Sequence, residues 1–193
     1  MKNKKTLFLA QLSILVAILL LMSFTPLGYL RIFALEITFL VIPVAVGAIA
    51  LGPLGGGILG AVFGLTSFFQ AFSGVLGAAL LAASVPMTFI VCFVPRVLVG
   101  LITGFVASKL NQNKLSSFIL PSLIAPIANT VLFVGSLFLF FWNIPLMVDL
   151  RASQNVFAFF VSFVGINAVV EIIVCSILST AITKVLSRIQ KRS

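Results

Sequence analysis

Long apolar stretches, broken by short groups of Gly, Pro, Asn and basic residues, set the pattern of this chain. A helix rises 1.5 Å per residue, so roughly 18 apolar residues are needed to cross about 30 Å of hydrocarbon. On that measure the runs between breakers predict spans near 7–25, 35–51, 55–72, 85–108, 118–142 and 155–186. The fold class that follows is an all-α integral membrane protein, a compact bundle of six transmembrane helices forming one domain over residues 1–193. A transmembrane barrel needs strands of about ten residues alternating polar and apolar, and no such alternation occurs. Two connections are distinctive. Gly52-Pro53-Leu54-Gly55 is a tight turn between the second and third spans, because proline fixes φ and glycine permits positive φ. Residues 73–83 are apolar and rich in small side chains, which fits a short interfacial or re-entrant segment.

Composition strengthens this picture: 62% of residues are hydrophobic and 8% charged, far from a soluble globular domain. The net charge of +9 would suggest nucleic acid as a partner in a soluble protein. Here topology explains it, and no nucleic-acid partner is expected. With six spans, Lys2, Lys4, Lys5, Lys109, Lys114, Lys184, Arg188, Lys191 and Arg192 fall on one side, and only Arg31 and Arg151 fall opposite. The positive-inside rule then predicts cytoplasmic N- and C-termini in the cell membrane. Lysines before the apolar run from Leu7 resemble a signal peptide, but the run passes Met22 without a small-x-small cleavage pattern. It is read as a retained first span.

Several chemistries are excluded by residue content. No GxxxxGK[ST] phosphate cradle is present, so ATP hydrolysis is not expected of this chain. Histidine is absent, and Cys92 and Cys175 both lie inside apolar runs, so no metal site is expected. With one membrane-embedded acid, paired-carboxylate and nucleophile–base constellations cannot be assembled. Neither enzymatic activity nor a cofactor is expected.

Polar side chains at membrane depth are costly and tend to face a cavity or one another. Arg96 follows Pro95 in the fourth span. Asn167 and Glu171 lie four residues apart in the sixth, hence on one helix face. Asn129 follows Pro126 in the fifth, where the proline ring removes a backbone donor and frees a carbonyl for another polar group. These four are candidates for substrate binding. Tyr29 and Trp142, near outer loops, are further candidates. The alternative is that Arg96 and Glu171 neutralise one another, the asparagines lock helix packing, and the two aromatics sit in the interfacial belt. Glycines at positions 52, 56, 60 and 64, and again at 100 and 104, recur every four residues and allow close helix approach. Ala10, Ser13 and Ala17 form a similar smooth stripe on the first span, suited to internal packing or to docking another membrane protein.

The segments Phe24-Thr25-Pro26-Leu27-Gly28-Tyr29, Ile42-Pro43-Val44, Leu51-Gly52-Pro53, Val62-Phe63-Gly64-Leu65-Thr66-Ser67 and Phe93-Val94-Pro95-Arg96-Val97-Leu98-Val99-Gly100, in this order, resemble the S components of energy-coupling factor vitamin transporters. The resemblance covers roughly the first half of the chain by segment and the second half by topology. It implies a subunit that captures one vitamin from outside and joins a transmembrane coupling subunit and two cytoplasmic ATP-binding subunits. ATP-driven changes there topple it in the membrane and release the vitamin inside. Docking in the family commonly uses an alanine-x-x-x-alanine patch on the first span; Ser13 and Ala17 stand at that spacing here. Family pockets lined from later spans and outer loops add weight to Asn129, Asn167 and Glu171. Pantothenate-type members look most similar. Pyridoxine, riboflavin and folate, or a stand-alone secondary transporter, are the alternatives, and Glu171 argues toward a protonatable ligand.

Overall fold

Backbone amides in an apolar run find no partner in lipid, and the helix satisfies them locally. A computed structural model of the protein describes residues 4–26, 28–32, 35–111, 115–145, 147–148 and 165–192. Within them lie α1 (Lys4–Ser23), β1 (Tyr29–Ile32), β2 (Leu35–Thr38), α2 (Val41–Ala71), α3 (Val75–Ala83), α4 (Val85–Lys109), α5 (Ser116–Phe141) and α6 (Ile166–Arg192). Among the described residues, five helices are long and apolar enough to cross a membrane: α1, α2, α4, α5 and α6. Residues 155–164, placed by hydropathy at the start of the last span, lie outside the described residues.

The second span is where hydropathy and structure part. Residues 35–38 belong to β2, which pairs antiparallel with β1 in the register Tyr29↔Thr38, Leu30↔Ile37, Arg31↔Glu36 and Ile32↔Leu35. Helix begins only at Val41. The helical bundle therefore carries a two-stranded hairpin, anchored where the Phe39 amide donates to the Gly28 carbonyl at 2.9 Å.

Although α2 runs continuously from Val41 to Ala71, it contains a reversal. Gly52 has φ 77° and ψ −169°, left-handed backbone that L side chains avoid, and Pro53 follows it. A straight helix would separate residues 48 and 56 by about 12 Å. Instead a Cβ built on Gly56 would lie 2.7 Å from Ala48 Cβ, and Gly47 abuts the Leu59 side chain. The two limbs, 41–51 and 53–71, thus pack antiparallel. Proline suits the start of the second limb because its missing N–H falls where a helix has no acceptor to offer.

The first limb is buried all round, with Val41, Val44, Ala45 and Ala48 fully inaccessible, and it forms the axis of the bundle. It packs with Leu19, Leu59, Phe63, Val99, Ala125 and Cys175 from α1, the second limb, α4, α5 and α6. At about 16 Å it is too short to span hydrocarbon by itself, and the hairpin lies in the chain directly before it.

Against α4 the second limb packs backbone to backbone. Gly56 meets the Gly100 carbonyl, Gly60 the Arg96 carbonyl and Gly64 the Phe93 Cα. A methyl on Gly60 would sit 2.9 Å from the Arg96 carbonyl carbon and 3.0 Å from Val97 Cα. Because backbone cannot step aside as a side chain can, Gly60→Ala is expected to cost about 1–3 kcal/mol. Thermal unfolding of the purified protein checks this; an unchanged midpoint would mean the seam is loose.

Successive contacts give alternating directions to α1, the limbs of α2, α4, α5 and α6. The Gln70 side-chain amide donates to the Ser23 carbonyl, joining the last turns of α1 and the second limb at one end. By that alternation Lys5, Lys109 and Lys184 fall toward the other. Between the second limb and α4, the nine-residue α3 occupies the small-residue stretch; Ser84 closes it and precedes α4, where the Thr88 hydroxyl donates to the Ser84 carbonyl at 2.8 Å.

Candidate functional site

Prolines inside α4 and α5 create the first polar features of the interior. A proline at position i offers no N–H to the carbonyl at i−4. Pro95 in this way frees the Val91 carbonyl, and the Arg96 Nη1 donates to it at 2.9 Å. Pro126 likewise frees the Ser122 carbonyl, and the Ser176 hydroxyl of α6 donates to that at 3.1 Å. Both orphaned acceptors are satisfied by side chains, which ties Arg96 to its own helix and α6 to α5.

Arg96, Asn129 and Glu171 are each only 6% exposed. The Arg96 guanidinium carbon lies 4.2 Å from the Phe133 ring centroid and 5.5 Å from that of Phe63. Desolvated cation–π contacts of this kind contribute up to about 2 kcal/mol and help hold a cation away from lipid. Phe133 stands one turn from Asn129 on α5, so both share a face. Asn129 in turn donates from Nδ2 to Glu171 Oε1 at 2.9 Å. The carboxylate, an acceptor, fixes the amide with nitrogen toward α6. The Asn129 Oδ1 then faces away, and among the described residues it meets no donor. Arg96, Phe133, Asn129 and Glu171 make a continuous line of polar and aromatic groups across α4, α5 and α6. It offers a fixed cation, a carboxylate and a bare amide oxygen awaiting a donor.

Of the sequence candidates, the structure brings Arg96, Asn129 and Glu171 together. Asn167 occupies the first turn of α6, one turn before Glu171, and its side chain lies outside the described residues. So does that of Tyr29, whose backbone opens β1. Trp142 is the C-cap of α5 and packs edge-on to Phe138 with centroids 5.3 Å apart. Thirteen residues of helix put it about 20 Å from Asn129, outside the cluster. Ala10, Ser13 and Ala17 all face outward on α1 rather than into the bundle. Phe63 and Phe133 were not singled out by sequence; nothing in the pattern distinguishes them among 20 phenylalanines. Ser176 was missed too, although a hydroxyl opposite a proline-freed carbonyl is a recognisable pairing once the helices are aligned.

Apolar helices of membrane-crossing length, wrapped around buried charges and amides, define a multi-pass protein of the cell membrane with a polar interior. A family model described as the substrate-specific component of ECF transporters matches residues 7–183. The chain belongs to that family. Over its whole length it is 30% identical to the pantothenic acid transporter PanT of Lactococcus lactis subsp. cremoris, all of which is covered. It is 32% identical to the pantothenate transporter PanT of Leuconostoc mesenteroides subsp. mesenteroides, again over its whole length and 98% of that relative. Members of this family serve as the substrate-specific part of a transporter, not as enzymes.

Proposed function

We propose that this chain captures pantothenate outside the cell and hands it to an ATP-driven module made of a transmembrane coupling subunit and two cytoplasmic ATP-binding subunits. The observation that carries this reading is full-length similarity to two pantothenate transporters, combined with a buried cluster suited to that ligand. Pantothenate has a carboxylate, an amide and two hydroxyls. In the proposed pose Arg96 takes the carboxylate, a ligand hydroxyl donates to the Asn129 Oδ1, and Glu171 holds Asn129 in place while accepting from a further hydroxyl. Asn167, Tyr29 and Trp142 are proposed as further ligand contacts.

The proposal includes six membrane passes in one domain, the limbs of α2 counting separately. The basic end with Lys5, Lys109 and Lys184 faces the cytoplasm, by the positive-inside rule, and so do both termini. Ligand enters from the Gln70 end. Ala10, Ser13 and Ala17 present the smooth face that docks the coupling subunit.

Uptake of labelled pantothenate by a host lacking its own transporter tests the assignment. Uptake is expected only when this chain is expressed together with a coupling subunit and its ATPases. Uptake by the chain alone would instead make it a secondary transporter. For Asn129→Ala, the loss of one buried ligand contact is expected to weaken pantothenate binding by about 1 kcal/mol or more, read from equilibrium titration. Unaltered affinity would take Asn129 out of the pocket.

A further inference from the structure

Hydroxyl groups in this bundle usually spend their proton on the carbonyl one turn back along their own helix. Ser23, Thr66, Thr88, Ser136 and Thr183 all do so. Among the described residues, three fully buried hydroxyls make no such bond: Thr103 on α4, Ser122 on α5 and Ser179 on α6. Each residue is 0% exposed, and among the described residues none of these hydroxyl oxygens has a hydrogen-bond partner.

Their positions repeat those of the ligand cluster. Thr103 lies seven residues beyond Arg96 on α4, Ser122 seven before Asn129 on α5, and Ser179 eight beyond Glu171 on α6. Seven residues are two turns and about 10 Å of helix, so the α4 and α5 members keep the face of their cluster partners. On α6 the buried residues Glu171, Cys175, Ser179 and Thr183 follow one another at intervals of four. Since α5 runs antiparallel to α4 and α6, all three displacements point the same way, toward the Lys109 end. The Ser176–Ser122 bond confirms that α5 and α6 are in contact at that depth.

A buried unpaired hydroxyl is destabilising, and these three lie on neighbouring helices, α5 packing against both α4 and α6, toward the same end of the polar cluster. We propose that this layer is a buried hydration site, taking water molecules that bridge α4, α5 and α6 and form a wet floor beneath the polar cluster. Water fits because each hydroxyl both donates and accepts, and a bridging molecule makes about three hydrogen bonds to groups otherwise unpaired.

The sign of a stability change distinguishes wet hydroxyls from dry ones. Thr103→Val, Ser122→Ala and Ser179→Ala are each expected to lower the melting temperature of the purified protein by about 2–4 °C. Pairs should lose less than the sum of their members, because the first change already disturbs the shared water. Dry orphan hydroxyls would give the opposite: unchanged or raised melting temperatures that add, since an apolar replacement removes an unpaired group. A second measurement needs no variant to fold. Radiolytic hydroxyl-radical footprinting labels side chains beside internal water, and Cys175, fully buried one turn from both Glu171 and Ser179, is the native reporter. Oxidation of Cys175 in the unaltered protein is expected; an unoxidised Cys175 would overturn the proposal.

Discussion

On the proposed pose, replacing Arg96 with Met is expected to lower pantothenate affinity by about 100-fold or more, equivalent to about 3 kcal/mol. The side chain holds the cation of the buried cluster, fixed by the Val91 carbonyl and enclosed by the Phe133 and Phe63 rings. Such a group arrives already ordered and largely stripped of water, so little is spent in orienting it toward a carboxylate. Met keeps much of the length and apolar contact while deleting the charge. Arg96→Lys restores the charge without the planar fork and is expected to recover only part of the affinity. Titration of the purified variants reads both numbers. If Arg96→Met binds as tightly as the unaltered protein, Arg96 serves packing or neutralises Glu171, and the carboxylate has another partner.

Replacing Ser13 or Ala17 with Trp is expected to abolish uptake while leaving vitamin binding by the isolated subunit intact. Both side chains face outward on α1, among exposed neighbours such as Leu9, Ile14, Ile18 and Leu21. In the isolated subunit, lipid accommodates an indole on that face at little cost. A coupling helix that approaches across small residues does not, because a bulky ring holds the backbones apart. The two readouts separate the roles: uptake reports docking, and titration of the subunit alone reports the pocket. Loss of binding in either variant would place the stripe in internal packing and remove it from the docking surface.

Hydropathy alone marks where apolar runs stop, and in this chain the breakers carry much of the geometry. Gly52-Pro53 reads as a turn, and the structure reverses α2 there, with positive φ at Gly52. By contrast, Leu35-Glu36-Ile37-Thr38 reads as the start of a span, because a four-residue strand is shorter than any window that averages hydropathy. Its partner, Tyr29–Ile32, is equally short, and pairing between them is a tertiary fact. The reading of Pro126 as a source of a free carbonyl has its counterpart in the Ser176–Ser122 bond, and Pro95 does the same for Arg96. Which side chain answers such a carbonyl depends on helix rotation, which one sequence does not encode visibly. Polarity at membrane depth pointed to Arg96, Asn129 and Glu171, and the structure buries all three. The aromatic rings around Arg96 were hidden in a composition where phenylalanine is everywhere, and Trp142, a candidate alongside Arg96, Asn129 and Glu171, stands a length of helix away from Asn129.

The most direct test of the account is a thermal-shift screen of the purified subunit against pantothenate, pyridoxine, riboflavin and folate. A ligand at a hundred times its dissociation constant stabilises the folded state by about 2.7 kcal/mol. The account predicts that pantothenate alone raises the melting temperature. Stabilisation by a different vitamin, or by none in a well-folded sample, would contradict it.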